Sequence, residues 1–227
     1  MLAARAPHKE EIHQFLEFSI RQAKKLKVKI HLRSEVTPEW IIRQRPHAVV
    51  VATGGRPLRP QKIPLHLKMK WSYAWDVLSG KEKNLGEKTV VLGGGFVGAE
   101  IADFIRSKGM AKEVAIVEMR EAVAFDLEPA FRQLLIERLQ KLSVKMLSHF
   151  RVREVTARQV IGEDVRTGDT RKIDADTVVI ALGTEPVEFP LKAFEKKGIR
   201  VFLIGDAHTP RGIAEAVRDG YLAGISV

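Results

Sequence analysis

With 227 residues the chain can bury one large core or two modest ones, and 45% apolar with 29% charged residues excludes disorder. The absence of cysteine excludes disulfides, thiolate metal sites, iron–sulfur ligation and a redox dithiol within these residues. The formal charge of +10 is spread along the chain with only short clusters such as Lys24-Lys25, which fits a solvated face or an acidic partner and speaks against nucleic acid.

At the N-terminus, residues 1–11 show no long apolar core followed by a cleavage site. The longest apolar runs, 48–52 and 178–182, fall far short of the ~20 residues of a membrane helix. No membrane partner and a cytoplasmic setting are therefore expected. Ile12, Phe15, Leu16, Ser19, Ala23 and Leu26 follow helical spacing, leading into Leu-Lys-Val-Lys-Ile at 26–30. An apolar strand at 49–52 then ends in Ala52-Thr53-Gly54-Gly55. Residues 55–88, with Pro57, Pro60 and Pro64, read as a crossing linker whose Trp71, Tyr73, Trp75, Val77 and Leu78 pack at a domain junction.

Thr89-Val90-Val91-Leu92 reads as a fully buried strand. It runs into the turn Gly93-Gly94-Gly95-Phe96-Val97-Gly98. Gly93 permits the tight turn, Gly95 lets the backbone approach a pyrophosphate, and Gly98 allows close packing of helix on strand. The helix that follows carries Val97, Ile101, Phe104 and Ile105 on one face and stops at Lys108-Gly109. Its free N–H groups and positive dipole end would face phosphates. A second strand over 113–118 ends in Glu118, 20 residues after Gly98, where an acid hydrogen-bonds the adenosine ribose. That carboxylate repels a 2′-phosphate and favours NAD over NADP; Arg120 could accommodate the phosphate, or be an ordinary exposed arginine. A glycine pattern alone is weak evidence. Strand, turn, helix, second strand and terminal acid in this order point to a nicotinamide-dinucleotide site.

Phe131, Leu135, Leu139 and Leu142 mark another helix, and Leu-Ser-Val-Lys-Met at 142–146 matches 26–30 at an offset of 116. Val152, Val155, Val160 and Ile161, with Gly162 and Gly168 at expected turns, read as an antiparallel meander. A strand beginning at Val178 runs into Ala181-Leu182-Gly183, and 178–186 matches 49–57 at an offset of 129. The halves thus look like copies of one βα unit. The offset places the first copy's glycine turn ahead of Met1, so the chain is expected to begin inside its first repeat, unless that copy has diverged. A return crossing at Pro186 and Pro190, a strand over 201–205 and a helix over 213–223 close the chain.

The run 93–100, the strand ends 52–57 and 181–186, and Ile204-Gly205-Asp206-Ala207 resemble the flavoproteins with two dinucleotide-binding domains. The wording is most similar to the C-terminal part of the NADH:flavin oxidoreductase family of 2,4-dienoyl-CoA reductase, 2-enoate reductase and trimethylamine dehydrogenase. Residues 6–12 and 210–217 fit that subgroup too. The resemblance implies an α/β fold, with a Rossmann-like nucleotide-binding domain (parallel sheet plus β-meander) at 86–184 inserted in a partial FAD-binding domain. The latter would comprise 1–85, with the crossing linker, and 185–227. It implies hydride transfer from NAD(P)H, NADH favoured, to FAD. Asp206, after Gly205, would bind the ribityl chain, or simply be a turn aspartate. Glu100 would lie near the nicotinamide, or be an ordinary first-turn acid. Ala52, Thr53, Gly54, Ala181 and Gly183 would flank the cofactors, or merely terminate strands. The resemblance further implies an N-terminal TIM barrel with FMN and an iron–sulfur cluster, and a first glycine turn carrying most phosphate contacts to FAD, none of which is among these residues. The alternative is an ADP- or NAD-binding module without turnover.

Overall fold

A computed structural model describes residues 2–227, apart from the side chain of Glu195. In chain order the elements are α1 (Glu11–Lys25), α2 (Pro38–Arg43), β1 (Ala48–Val51), β2 (Gly55–Pro57), β3 (Lys70–Tyr73), α3 (Ala74–Ser79), β4 (Lys88–Leu92), α4 (Phe96–Ser107), β5 (Glu113–Val117) and α5 (Pro129–Lys141). There follow β6 (Lys145–Leu147), β7 (Phe150–Val155), β8 (Gln159–Asp164), β9 (Thr170–Asp174), β10 (Thr177–Ile180), β11 (Thr184–Pro186), α6 (Lys192–Glu195), β12 (Arg200–Leu203) and α7 (Ile213–Ser226). They divide into two compact units, residues 1–23 with 58–183 and residues 24–57 with 184–227.

The first unit is built on a five-stranded parallel sheet in the order β3-β10-β4-β5-β6. Parallel strands are covered on both faces, and here alternate side chains go to different layers. Val91, Val114, Ile116 and Val179 face a helical layer with Val77, Ile101, Ile105 and Leu139. Val90, Leu92, Ala115, Val117, Val178 and Ile180 face the other way, against Phe150, Val155 and Val160 of the antiparallel β7-β8-β9 meander. The result is three layers, helices, sheet and meander, with the glycine turn at the carboxyl edge of the central strand β4. In the second unit β1 pairs with β12 in parallel, and β2 with β11 as an antiparallel ribbon. Among the described residues no helix is long and apolar enough to cross a membrane.

Four expectations change. Residues 58–85 are not a linker: β3 is a full strand beside β10, and Val77 and Leu78 of α3 are buried in the helical layer. The boundary expected at residue 85 therefore gives way to one at 57/58, and residues 1–23 also fall in the first unit. Residues 26–30 form no strand, and Leu26, Val28 and Ile30 are exposed. Of their counterpart, 142–146, only Lys145 and Met146 enter a strand, β6, where β5 offers a ladder. Gly162 lies inside β8 rather than at a turn, because the Phe150 ring covers its backbone: a Cβ there would stand 2.2 Å from the ring. Phe131, counted on the apolar face of its helix, is two-thirds exposed, while Leu135 and Leu139 are buried.

Candidate functional site

The turn between β4 and α4 is held by contacts that only glycine permits. Gly93 has φ +95°, and a Cβ on it would stand 2.5 Å from the Ala181 carbonyl oxygen. A Cβ on Gly98 would stand 1.8 Å from the Gly93 oxygen, so the first turn of α4 lies directly on the end of β4. Gly94 N–H donates to Glu118 Oε2 (2.7 Å), and Phe96 N–H donates to Asp126 Oδ1 (2.8 Å). Among the described residues, Gly95, Val97 and Gly98 N–H have no acceptor. This leaves three donors at the positive end of a 12-residue helix.

A cavity of about 400 Å³ opens beside this turn. Gly93, Gly95, Phe96, Val97, Glu118, Arg120, Ala181 and Gly183 all line it, so the structure gathers most of the expected first-unit residues around one space. Glu118 sits just beyond β5, its Oε1 accepting from Arg120 N–H at 2.8 Å. Gly183 has φ +114°, which turns the chain away after β10, and its carbonyl accepts from Leu58 N–H. Asp126, a further lining residue, was not singled out from the sequence. It lies 30 residues from its partner Phe96, with no fixed spacing to reveal it.

Glu100 is not among the lining residues. It is largely buried and pairs with Lys9 at 2.5 Å, whose ammonium also sits 3.9 Å over the Phe96 ring. Nothing local in the sequence announces this contact, 91 positions apart. Burial pushes the Glu100 carboxyl above its ordinary value, against the hydrogen bond and charge of Lys9. A raised carboxyl contributes stability that is fully present below pH 4.5, its ordinary value, and lost as pH rises through the raised value. Glu100→Gln removes this dependence. Thermal melts between about pH 4 and 7 should therefore show the variant gaining on the parent as pH rises. A gap that narrows instead would mean that the Lys9 pair dominates.

In the second unit Ala52, Gly54, Gly205 and Asp206 line a separate cavity of about 320 Å³. Thr53 is outside its lining, donating through Oγ1 to the Val187 carbonyl. Asp206 Oδ1 accepts from Arg211 N–H (3.2 Å), and Gly205 N–H donates to Asp219 Oδ2 (3.1 Å). Asp219 also holds Arg211. It lies in α7, 14 residues beyond Gly205, and was missed because its partners precede it across a loop.

A glycine turn at the carboxyl edge of a parallel sheet, opening a helix and closed by an acid after the next strand, defines a Rossmann-type protein. The family follows: the model described as pyridine nucleotide-disulphide oxidoreductase matches residues 9–202, and the chain belongs to that family. It is 33% identical to the bilirubin reductase of Mediterraneibacter gnavus, over 98% of this chain and 34% of the relative. It is 35% identical to the NADH oxidase of Thermoanaerobacter brockii, over 97% and 34%. Among solved structures, 2-naphthoyl-CoA reductase with bound 2-naphthoyl-CoA superposes with a TM-score of 0.86 at 28% identity, over all of this chain and 34% of that one. The chain thus spans about a third of the length of these relatives. Despite the family's description, it holds no cysteine for disulphide chemistry.

Proposed function

We propose that this chain is the part of a flavin-dependent oxidoreductase that receives NADH and passes its hydride to FAD. The observation that carries the reading is the glycine turn itself. Three N–H groups at the start of α4 without an acceptor among the described residues, and a backbone stripped of side chains, suit a pyrophosphate. The nicotinamide nucleotide supplies a hydride; the protein need only bind, orient and exclude water. Glu118 accepts hydrogen bonds from the adenosine ribose hydroxyls and disfavours a 2′-phosphate. Phe96, Val97, Ala181 and Gly183 form the apolar wall along which the dinucleotide lies. Asp206, at the carboxyl end of β12, accepts from the ribityl chain of FAD, with Ala52, Thr53, Gly54 and Gly205 beside it. The remaining FAD phosphate contacts come from the two thirds of the relatives outside this chain. The expected TIM barrel with FMN and iron–sulfur cluster would also lie outside this chain. The relatives' names, an NADH oxidase and a reductase, support the direction of electron flow.

Calorimetry with NADH and reduction of added FAD by NADH test this. Glu118→Ala should weaken NADH about tenfold or more, the loss of a charged hydrogen bond, and narrow the preference over NADPH. NADH binding without flavin reduction would leave a nucleotide-binding module without turnover. Absence of NADH binding would overturn the reading.

A further inference from the structure

We infer that Asp126 is a built-in anion occupying the pyrophosphate position of the nucleotide site, which bound nucleotide must displace. This rests on the reading of that site given above. The Asp126 carboxylate caps the α4 N-terminus through Phe96 N–H at 2.8 Å. Its Oδ2 stands 3.3 Å from where a Gly95 Cβ would be, over the backbone that a phosphate approaches. It lines the same cavity as Gly93, Gly95 and Glu118.

The carboxylate is held there by its loop. Ala124 is fully buried at φ +54°, a backbone conformation alanine rarely adopts, and its N–H donates to Gly94 oxygen at 2.6 Å. Arg132 Nε donates to the Val123 carbonyl at 2.9 Å and fixes the loop from α5. Asp126 is not needed to start α5, because Glu128 caps that helix by accepting from Ala130 N–H. Its hydrogen bond is made to the other helix, the one that meets the nucleotide.

A carboxylate and a diphosphate cannot both hold the same helix end without repulsion. The free protein therefore keeps its turn ordered around its own anion. Nucleotide binding exchanges that anion for phosphate and swings the side chain toward solvent. Asp126 lowers affinity for diphosphates while leaving the nucleoside contacts untouched.

The test is calorimetry on the full chain with ADP-ribose, NADH and adenosine. Asp126→Asn keeps the shape and an acceptor but removes the charge; Asp126→Ser is a second neutral variant. Both should bind ADP-ribose and NADH about tenfold more tightly, with the gain shrinking in high salt. Adenosine affinity should stay within about twofold, and so should ADP-ribose affinity in Glu128→Gln, which makes the same change in net charge outside the cavity. If the parent binds ADP-ribose and the neutral variants bind it equally or more weakly, the anion role is overturned while the site stands. If neither parent nor variants bind ADP-ribose or NADH, the nucleotide site falls and this inference with it.

Discussion

Gly98→Ala is expected to destabilise the first unit by about 3 kcal/mol and to abolish nucleotide binding. The added methyl would be placed 1.8 Å from the Gly93 carbonyl oxygen and 2.9 Å from its carbonyl carbon. Both are backbone atoms of the turn, so no side chain can rotate away. Relief requires α4 to lift off β4 by more than an ångström, which also disturbs the buried contacts of Ala99, Ile101 and Ala102. The Gly95, Val97 and Gly98 donors move with the helix, so the proposed anion site should be lost together with stability. For a chain of this size the melting temperature should fall by about 6–12 °C. Gly109→Ala supplies the comparison. Gly109 has φ +63°, but a Cβ there meets nothing within 4 Å, so only backbone strain is added, about 1 kcal/mol. Calorimetric melts of the two variants separate a steric role from a conformational one. Equal losses would show that the close approach at Gly98 is unimportant.

The features legible in the sequence were those fixed by local spacing. The turn 93–98 and Glu118 sit within one βαβ unit, where helix and strand periods determine which atoms meet. The apolar runs at 89–92 and 178–182 announce strands covered on both faces, and both become interior strands of the sheet. What stayed hidden depends on partners far along the chain. Residues 70–73, Lys-Trp-Ser-Tyr, follow a proline-rich stretch and become β3 only because β10 offers an open edge. Residues 26–30 match 142–146, whose last two residues enter β6, yet they stay irregular. Lys9 meets Glu100, and Asp126 meets Phe96, through tertiary folding that no spacing rule encodes. The candidate site was therefore legible in its backbone and much less so in its charges.

The position of α4 also depends on a charge pair deep in the helical layer, which yields the second large effect. Asp103 is 1% exposed, on the side of α4 facing α5. Its carboxylate is met by Arg138 of α5 and by the Ser107 hydroxyl, which donates at 2.9 Å. Arg106 on the same helix donates to the Leu142 and Ala111 carbonyls, tying both helix ends to the loops that follow them. A buried pair of this kind contributes little net stability, but breaking it strands a charge away from water. Arg138→Met should therefore cost about 3 kcal/mol, the low end for such a break, because Arg138 is itself about a third exposed (31%) and water can enter when it is removed. Asp103→Leu together with Arg138→Met replaces the pair by apolar contact and should recover most of that loss. Urea unfolding of the single and double variants measures the difference. If the double variant is as unstable as the single one, packing rather than the stranded charge explains the cost. Recovery by the double variant would show that Arg138 is kept to neutralise Asp103, and that α4 is held in register at its middle by this pair and at its start by Gly98.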